Sequence, residues 1–301
     1  MKTGRKAVIL SIATKARPFN EIFAILEENI TQDCDLVLLP EFCLGDEPIL
    51  SLDGEEIQKI AALAKKQKKY IVFPVYRKSE TSQRINSAIL FGRDGIIAGI
   101  YDKIFPYWGE LNIPDAASPG DDAPVFQTDF GKIGFAICFD ANFPEVWKRM
   151  WQKGAELVLW PSAYSGGMSL QAHAINYNFY IITSTHRSDC FVFDITGQEL
   201  FYGQSDDVGI YKNEIDLDRC IFHQDFNMEL KDKLLEKHAG EVEMDCWLER
   251  EGWFTIRAIK PGVSARALTK EYGMEELSSY KMRSEREIDQ MRGFRFVGKS
   301  I

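Results

Sequence analysis

The sequence of 301 residues lacks several features that would assign it to a common class of protein. It has no apolar run long enough to span a bilayer and no signal-peptide pattern. Its formal net charge of -9 argues against a nucleic acid or an anionic membrane as partner. We therefore expect a cytoplasmic protein that binds neither nucleic acid nor membrane.

The cysteines and histidines show no metal-binding or disulfide pattern. The six cysteines and four histidines are scattered, without a CxxC pair or the spacing typical of metal ligands. We predict reduced thiols, no metal and no cofactor. The hydrophobic fraction of 45% allows a large core, and the sequence contains neither repeats nor a low-complexity linker. We predict one domain over residues 1–301, with a core of about 6–218 and a C-terminal extension, 219–301.

Apolar patterns in the first hundred residues alternate between strand and helix. Buried strands are predicted at Ala7–Ile12, Leu36–Leu39 and Tyr70–Val75, and amphipathic helices at Pro18–Ile30 and around Ile57–Ala64. A hairpin is expected next, formed by strands Ser87–Phe91 and Ile96–Tyr101. Later predicted strands are Leu157–Trp160, Ile181–Thr185, Cys190–Asp194, Gly209–Ile215 and Trp253–Ile259. Later predicted helices are Gln171–Tyr180, Phe226–Lys237 and Met274–Arg292. This order predicts an α/β fold with mixed sheets.

Cys138 lies at a junction between a predicted strand and a predicted helix. The strand is Ile133–Ile137, and Asn142 is expected to cap a helix with Pro144 in its first turn. A helix N-terminus favours thiolate, so this position suits a nucleophile. A buried core cysteine is the competing interpretation.

Two charged side chains follow other predicted strands in the same way. Glu41 comes directly after Leu36–Leu39, and Lys103 ends the second strand of the hairpin. Either residue alone could be an ordinary surface charge. Active sites of α/β folds collect at the carboxyl ends of strands. Three such positions therefore predict one site that contains Glu41, Lys103 and Cys138.

These segments resemble the nitrilase superfamily of carbon–nitrogen hydrolases. The matching segments are Leu39–Phe42, Tyr101–Ile104, Gly134–Asp140 and Phe143–Glu145, and the resemblance covers about 6–218. It implies an α-β-β-α sandwich that forms four layers on pairing, a Glu-Lys-Cys triad and at least a homodimer. Glu110 matches a second glutamate that family members carry between the lysine and the cysteine.

The implied chemistry gives each residue a role. Cys138 attacks an amide carbon to form a thioester, and Glu41 takes the thiol proton and later activates water. Lys103 and the Phe139 backbone N–H stabilise the oxyanion, and Glu110 orients Lys103 or the substrate. We expect the substrate-binding residues to be Phe139, Asn142, Trp108, Trp160, Ser162 and Tyr164.

The residues that follow Cys138 narrow the range of expected substrates. Phe139 and Asp140 resemble the amidase and carbamoylase branches, so we predict a small carboxamide or an N-carbamoyl compound, with nitriles as poor substrates. Asn142 stands where many relatives have arginine, which favours a plain amide, although Arg187 can restore a cation.

Alternatives remain at this point. Cys138 could work with His173 or His186 in a different cysteine enzyme, and Cys43 is a rival nucleophile. A nitrilase, or a non-catalytic binding module on the same fold, is also compatible with the sequence.

Overall fold

The computed structural model describes residues 3–46, 48–79, 83–113 and 115–293. The chain divides into two compact units. Ala7–Ile215 form the larger unit, and the residues from Asp216 onward form the smaller unit with those before Ala7. The prediction of one domain with an extension stays a prediction.

The larger unit contains a seven-stranded mixed sheet with the order β13-β1-β2-β4-β5-β6, in which β3 pairs with β4. The β1, β2, β3 and β4 pairings are parallel, whereas β4–β5 and β5–β6 are antiparallel. The strands are β1 (Lys6–Ala13), β2 (Leu36–Leu38), β3 (Ile49–Leu50), β4 (Tyr70–Lys78), β5 (Arg84–Phe91), β6 (Ile97–Asp102) and β13 (Gly209–Asp216). Helices α1 (Phe19–Asn29) and α2 (Glu55–Gln67) contribute their buried residues to one hydrophobic core with this sheet.

A second sheet has the order β12-β11-β10-β9-β8-β7. Its strands are β7 (Val125–Gln127), β8 (Lys132–Phe135), β9 (Leu157–Ser162), β10 (Tyr180–Thr185), β11 (Asp189–Phe193) and β12 (Glu199–Gln204). The helices of this half are α3 (Trp108–Leu111), α4 (Pro144–Gln152) and α5 (Met168–Tyr177). The last of these contacts β10 and β11 as well as α4.

The two sheets of the larger unit contact each other through buried hydroxyl groups. Ser11 Oγ donates to the Thr183 carbonyl at 2.8 Å, and Ser184 Oγ donates to the Ile12 carbonyl at 2.9 Å. These bonds satisfy polar groups that would otherwise be costly to bury. With helices packed against each sheet, the larger unit is the α-β-β-α sandwich that the resemblance implied.

The amphipathic pattern of α2 shows why the sequence forms these layers. Ile57, Ile60, Leu63 and Ala64 lie on one buried stripe. Acidic residues occupy the first turn and lysines the last, where each charge complements the helix dipole, and Lys68 ends the helix in the left-handed conformation.

Most predicted elements are confirmed, with several differences, and the short elements β3, β7 and α3 were not predicted. The helix predicted at Gln171–Tyr180 ends at Tyr177, and Tyr180 already belongs to β10. The sequence analysis missed β12, whose residues are mostly exposed and therefore give little hydrophobic signal.

The smaller unit contains the antiparallel sheet β14-β16-β15 and three helices. Its elements are β14 (Cys220–His223), α6 (Met228–Lys237), β15 (Val242–Leu248), β16 (Trp253–Ala258), α7 (Ala265–Glu271) and α8 (Leu277–Met291). Phe222, Leu234, Phe254 and Ile256 belong to its own core. The two helices and the strand predicted here are confirmed, whereas β14, β15 and α7 were not predicted. None of the helices in the described ranges combines the length and apolar character needed to cross a bilayer.

Candidate active site

The ends of β2 and β6 bring Glu41 and Lys103 together in the interior. Glu41 is fully buried and Lys103 is only 1% exposed. Lys103 Nζ lies 2.8 Å from Glu41 Oε1 and 2.5 Å from Glu110 Oε2. The short helix α3 supplies Glu110, which is also buried. The structure therefore places three of the four predicted catalytic residues in one ionic cluster.

Two polar residues that the sequence analysis did not assign complete this cluster. Asn86 Nδ2 donates to Glu41 Oε1 at 2.8 Å and to Glu110 Oε1 at 3.0 Å. The Tyr76 hydroxyl also donates to Glu110 Oε1, at 3.0 Å. Tyr76 and Asn86 are directly paired across β4 and β5, which explains why their side chains reach the same carboxylate.

The sequence analysis missed Asn86 because it placed the start of β5 too late. The predicted strand began at Ser87, whereas the observed strand begins at Arg84 and includes Asn86. Lys103 N donates to the Asn86 carbonyl at 2.9 Å, so strand pairing also holds the lysine beside this asparagine. A strand extended by three residues would have placed Asn86 next to the lysine.

The charges in the cluster stabilise one another. Burial by itself would lower the pKa of Lys103, but the charges of Glu41, Cys138 and Glu110 outweigh it and raise that pKa. Burial likewise opposes ionisation of Glu110, yet Lys103 and the surrounding hydrogen bonds lower its pKa overall. The lysine is therefore held as an ammonium group between carboxylates.

Cys138 adopts a strained conformation at the end of the second sheet's β8 segment. Its φ angle is +47°, in the left-handed region that a non-glycine residue rarely occupies. Burial, followed by the charge and hydrogen bond of Glu41, raises the pKa of the thiol, while Lys103 and Ser162 oppose this shift. The net effect of these groups is to favour the protonated thiol.

The local structure around Cys138 differs from the sequence prediction in three ways. The strand ends at Phe135, and a 3₁₀ turn, Cys138–Asn142, separates it from α4. Phe143 rather than Asn142 is the residue before α4, and Asn142 Nδ2 instead donates to the Phe139 carbonyl at 3.1 Å. Cys138 therefore does not directly precede the N-terminus of α4, and burial, followed by Glu41, raises the pKa of its thiol.

Asp140 fixes the turn that carries the nucleophile. Its carboxylate accepts from Ile137 N at 2.9 Å, from Phe105 N at 2.9 Å and from the Tyr101 hydroxyl at 2.6 Å. Burial raises its pKa to about 6 even though these hydrogen bonds oppose the shift. Asp140 was part of the sequence motif but received no role there.

The predicted substrate-binding residues occupy different environments. Trp160 is fully buried and its indole N–H donates to the Cys138 carbonyl at 3.2 Å, which supports the turn. Ser162 is buried, and its hydroxyl accepts from Tyr164 N at 3.0 Å. Phe139 is half-buried. Contact between these residues and a substrate stays a prediction.

Of the remaining three predicted binding residues, Tyr164 is half-buried, whereas Trp108 and Asn142 are exposed. Trp108 is 70% exposed at the start of α3. Asn142 is also exposed, and its hydrogen bond to the Tyr164 side chain opposes the burial that raises the tyrosine pKa to about 12. These two side chains are reached from solvent.

The competing nucleophile and bases have other surroundings. Cys43 is fully buried, and its thiol lies 3.5 Å from the Pro74 carbonyl. His173 Nε2 lies 2.8 Å from the Ala141 carbonyl. Burial lowers the pKa of His186, and its buried Nε2 has no hydrogen-bond partner within the described part of the chain. Across the described ranges, no group of three or more histidine, cysteine, aspartate and glutamate side chains is arranged to hold a metal.

A cavity of about 590 Å³ lies beside the ionic cluster. Glu110 forms part of its wall, together with Phe42 and Tyr76. Lys103 Nζ lies 5.9 Å from the centre of the Phe42 ring. This cavity offers space for a small molecule next to the buried charges.

Comparison with known proteins defines the class of this site. The family model for carbon–nitrogen hydrolases matches residues 11–221. The chain belongs to the carbon–nitrogen hydrolase family, whose members act on C–N bonds other than peptide bonds.

Individual relatives include two curated enzymes. The chain is 24% identical over 189 residues to omega-amidase NIT2 of Homo sapiens, covering 55% of this chain and 67% of that protein. It is 33% identical over 162 residues to the beta-ureidopropionase of Arabidopsis thaliana, covering 50% of this chain and 39% of that protein.

Solved structures share the fold. A mutant of an amidase from Nesterenkonia, of the nitrilase superfamily, superposes with a TM-score of 0.63 at 20% sequence identity. The match covers 72% of this chain and 92% of the amidase. At this identity the likeness establishes the architecture alone.

Proposed function

We propose that this protein hydrolyses the C–N bond of a small carboxamide through a thioester on Cys138. The observation that carries the proposal is the buried cluster of Glu41, Lys103 and Glu110 beside a thiol whose pKa is raised by burial and then by the charge of Glu41. Burying three charges is costly unless they are paired, and their pairing here concentrates a base and a cation at one cysteine.

The first half-reaction uses Glu41 as a general base. The Cys138 thiol transfers its proton to Glu41 as its sulfur bonds to the amide carbon, and the carbonyl oxygen becomes an oxyanion. Lys103 and the Phe139 backbone N–H stabilise that oxyanion. Glu41 then protonates the nitrogen, the C–N bond breaks, and ammonia or an amine leaves an acylated cysteine.

The second half-reaction returns the enzyme to its starting state. Glu41 takes a proton from water, and the resulting hydroxide attacks the thioester carbon. The tetrahedral intermediate collapses to a carboxylic acid, and the sulfur leaves with the proton held by Glu41. Glu110 and Asn86 keep Lys103 and Glu41 in place throughout, because they bond to the same charged groups.

An N-carbamoyl amidohydrolase is the second candidate. The local identity of 33% to a beta-ureidopropionase supports it. The same nucleophile, base and oxyanion donors would release ammonia from a carbamoyl group. We place nitriles below both classes, since a linear nitrile gains less from donors aimed at a carbonyl oxygen.

We also propose that the protein works in the cytoplasm as at least a homodimer. The proposed contact uses α4 and α5, which the family resemblance implies. Met168 and Ile175 of α5 are exposed apolar residues that a second copy would cover. Sedimentation at micromolar concentration should show a dimer, and a monomer there would contradict this part of the proposal.

Ammonia release tests the proposed reaction. The purified chain should be assayed with matched amides, N-carbamoyl amines and nitriles, alongside the Cys138→Ala variant. Cys43→Ala provides a matched control, because it also removes one buried thiol. We expect the largest kcat/KM for an amide, and a larger value for a matched nitrile would contradict the assignment.

A further inference from the structure

Ring nitrogens of buried side chains lie at hydrogen-bond distance from three carbonyl groups of the turn Cys138–Asn142. The three contacts run from Trp160 Nε1 to the Cys138 carbonyl (3.2 Å), from Trp147 Nε1 to the Asp140 carbonyl (3.1 Å) and from His173 Nε2 to the Ala141 carbonyl (2.8 Å). Such contacts satisfy backbone oxygens that burial removes from water, and they fix the direction in which each carbonyl points.

The turn needs this support because its first residue is strained. Cys138 has a φ angle of +47°, and a non-glycine residue keeps such a conformation only where the surrounding contacts over-determine the backbone. Of the three ring donors, Trp160 is the one that bonds to Cys138 itself. It belongs to β9, which pairs in parallel with β8, the strand that leads into the turn. The indole therefore ties the strained residue to the neighbouring strand of the same sheet.

The Cys138 carbonyl and the Phe139 N–H belong to one peptide group. A trans peptide group is planar, and its C=O and N–H bonds point in opposite directions. A bond that fixes the Cys138 carbonyl thereby also fixes the direction of the Phe139 N–H. Among the residues that the structure describes, this N–H has no hydrogen-bond acceptor. It is also the N–H that the proposed cycle uses as an oxyanion donor.

The indole of Trp160 also affects the strength of that donor. Hydrogen bonds that share a peptide group polarise one another, so a donor at the carbonyl oxygen makes the N–H at the other end more positive. Donors that are oriented before the reaction stabilise an oxyanion without reorganising as its charge develops. Trp160 is fully buried, so water does not compete with its indole for the carbonyl.

We propose that Trp160 is a positioning residue, which acts through the peptide group of Cys138 and Phe139 to keep the Phe139 N–H directed at the oxyanion. This inference rests on the proposed amide hydrolysis. Because the indole acts through the backbone, its removal should lower kcat by a similar factor for all amides. The direct contact with substrate that the sequence predicted for Trp160 would instead change KM, by a factor that depends on the substrate's side chain.

Two substitutions of Trp160 separate the N–H group from the size of the ring. Trp160→Phe removes the donor, whereas Trp160→His keeps a ring N–H, since Nε2 of histidine takes the ring position of Nε1 of tryptophan. With butanamide we expect kcat to fall about 10- to 100-fold in Trp160→Phe, which is less than the loss of an oxyanion donor itself. In Trp160→His, kcat should be about 5-fold higher than in Trp160→Phe or more, although both side chains are smaller than indole. Equal kcat values in the two variants would contradict the role of the N–H.

Trp147→Phe provides the matched control. Trp147 is also fully buried, and its indole N–H bonds to the Asp140 carbonyl of the same turn. That peptide group ends in the N–H of Ala141, which is not the proposed oxyanion donor. We therefore expect kcat to fall no more than about threefold. Losses as large as those in Trp160→Phe would overturn the assignment, because general loosening of the turn would then explain both variants.

Alkylation of Cys138 separates the oxyanion donor from the nucleophile. Iodoethane reacts at a saturated carbon: the S–C bond forms as the C–I bond breaks, iodide leaves, and Glu41 takes the thiol proton. No oxyanion develops, so Trp160→Phe should be ethylated at Cys138 within about twofold of the wild-type rate while its amide hydrolysis is slow. Mass spectrometry of the peptide containing Cys138 measures this rate. A parallel decrease in both rates would show that the substitution damages the nucleophile, and would reject the proposal.

Circular dichroism and thermal unfolding establish that each variant is folded. Where Trp160→Phe does not fold, benzothienylalanine at position 160 keeps the bicyclic shape and has sulfur in place of the N–H, and the same fall in kcat is expected. Wild-type kcat in a folded variant without the donor rejects the role of Trp160 alone. Failure of the wild-type protein to hydrolyse any amide rejects the proposed function together with this inference.

Discussion

Cys138 and Cys43 are both buried thiols in turns that follow strands, yet their surroundings differ. Cys43 is fully buried and belongs to the apolar core beneath the first sheet. Cys138 is 8% exposed and lies beside the charges of Glu41 and Lys103. Burial is the largest cause of a raised pKa for both thiols. A raised thiol pKa therefore does not distinguish a nucleophile from a core residue.

The difference lies in what can remove the proton. Cys43 has a backbone carbonyl, that of Pro74, near its sulfur. A carbonyl can accept a hydrogen bond but cannot take the proton of a thiol at neutral pH. Cys138 has a carboxylate held by Lys103, by Asn86 and by Ala163 N at 2.9 Å. We therefore propose that the paired base and cation, rather than burial or turn geometry, make Cys138 the reactive thiol.

The largest expected difference between the two cysteines is the loss of kcat when each thiol is removed. Cys138→Ala is expected to lower kcat roughly 10⁴-fold or more, because no other group forms the thioester. Cys43→Ala should retain kcat within a few-fold, since its thiol lies in the core. Ammonia release under identical conditions measures both. Comparable losses in the two variants would refute the distinction between the two turns.

Removing the base should have the next largest effect. Glu41→Gln keeps the shape of the side chain but cannot accept the thiol proton, so we expect kcat to fall about 10²- to 10⁴-fold. Steady-state kinetics and circular dichroism should be measured together. Replacement of Glu27, an exposed acid on α1, by Gln serves as the control. Wild-type kcat in Glu41→Gln would eliminate its role as base.

Asp140 should set a pH dependence that Cys43 does not share. The Asp140 carboxylate holds the Cys138 turn, and its pKa is about 6. As pH falls through 6, protonation weakens its accepting bonds, so kcat/KM should decrease. Asp140→Asn should lower kcat about 10-fold and remove this acid limb. A profile between pH 5 and 8, about one unit below and two above that pKa, measures the effect; an unchanged limb in the variant would assign it to another group.

The raised pKa of Asp140 gives stability the opposite pH dependence from that expected for kcat/KM. In the unfolded chain Asp140 returns to its ordinary pKa near 4, so the folded state binds the proton more tightly. The contribution of this group is therefore greatest below about pH 4 and declines as pH rises from about 4 to 6.

The smallest expected effect concerns the core role of Cys43. Its sulfur fills space among buried apolar residues, so Cys43→Ala should lower the free energy of unfolding by about 1 kcal/mol. This corresponds to a decrease in Tm of roughly 2 °C. Thermal unfolding of the variant beside the wild type measures it. A gain in stability would show that the thiol is not well packed.

The sequence predicted the strand ends better than the details between them. Glu41, Lys103 and Cys138 were predicted as site residues because each follows an apolar segment within a few residues. Asn86 was missed because polar residues at the start of β5 hid the first three residues of a strand that is buried throughout. Periodicity alone does not show that both faces of such a strand are covered.

The turn at Cys138 illustrates a second limit. Asn142, Pro144 and Glu145 together favour a helix beginning directly after the cysteine. The observed 3₁₀ turn depends on Asp140 bonding to Ile137 N and Phe105 N. Phe105 is more than thirty residues away in the sequence. A local pattern cannot reveal such a long-range tertiary contact.

Direct detection of the acyl-enzyme tests the central claim most directly. The protein should be mixed with an amide substrate, quenched in acid during turnover and digested with trypsin. Residues 133–148 form a tryptic peptide whose one cysteine is Cys138, whereas Cys43 lies in the separate peptide 16–59 together with Cys34. We predict that peptide 133–148 gains the mass of the acyl group and that Cys138→Ala abolishes the adduct. An acyl group on the peptide containing Cys43, with peptide 133–148 unmodified, would contradict the account.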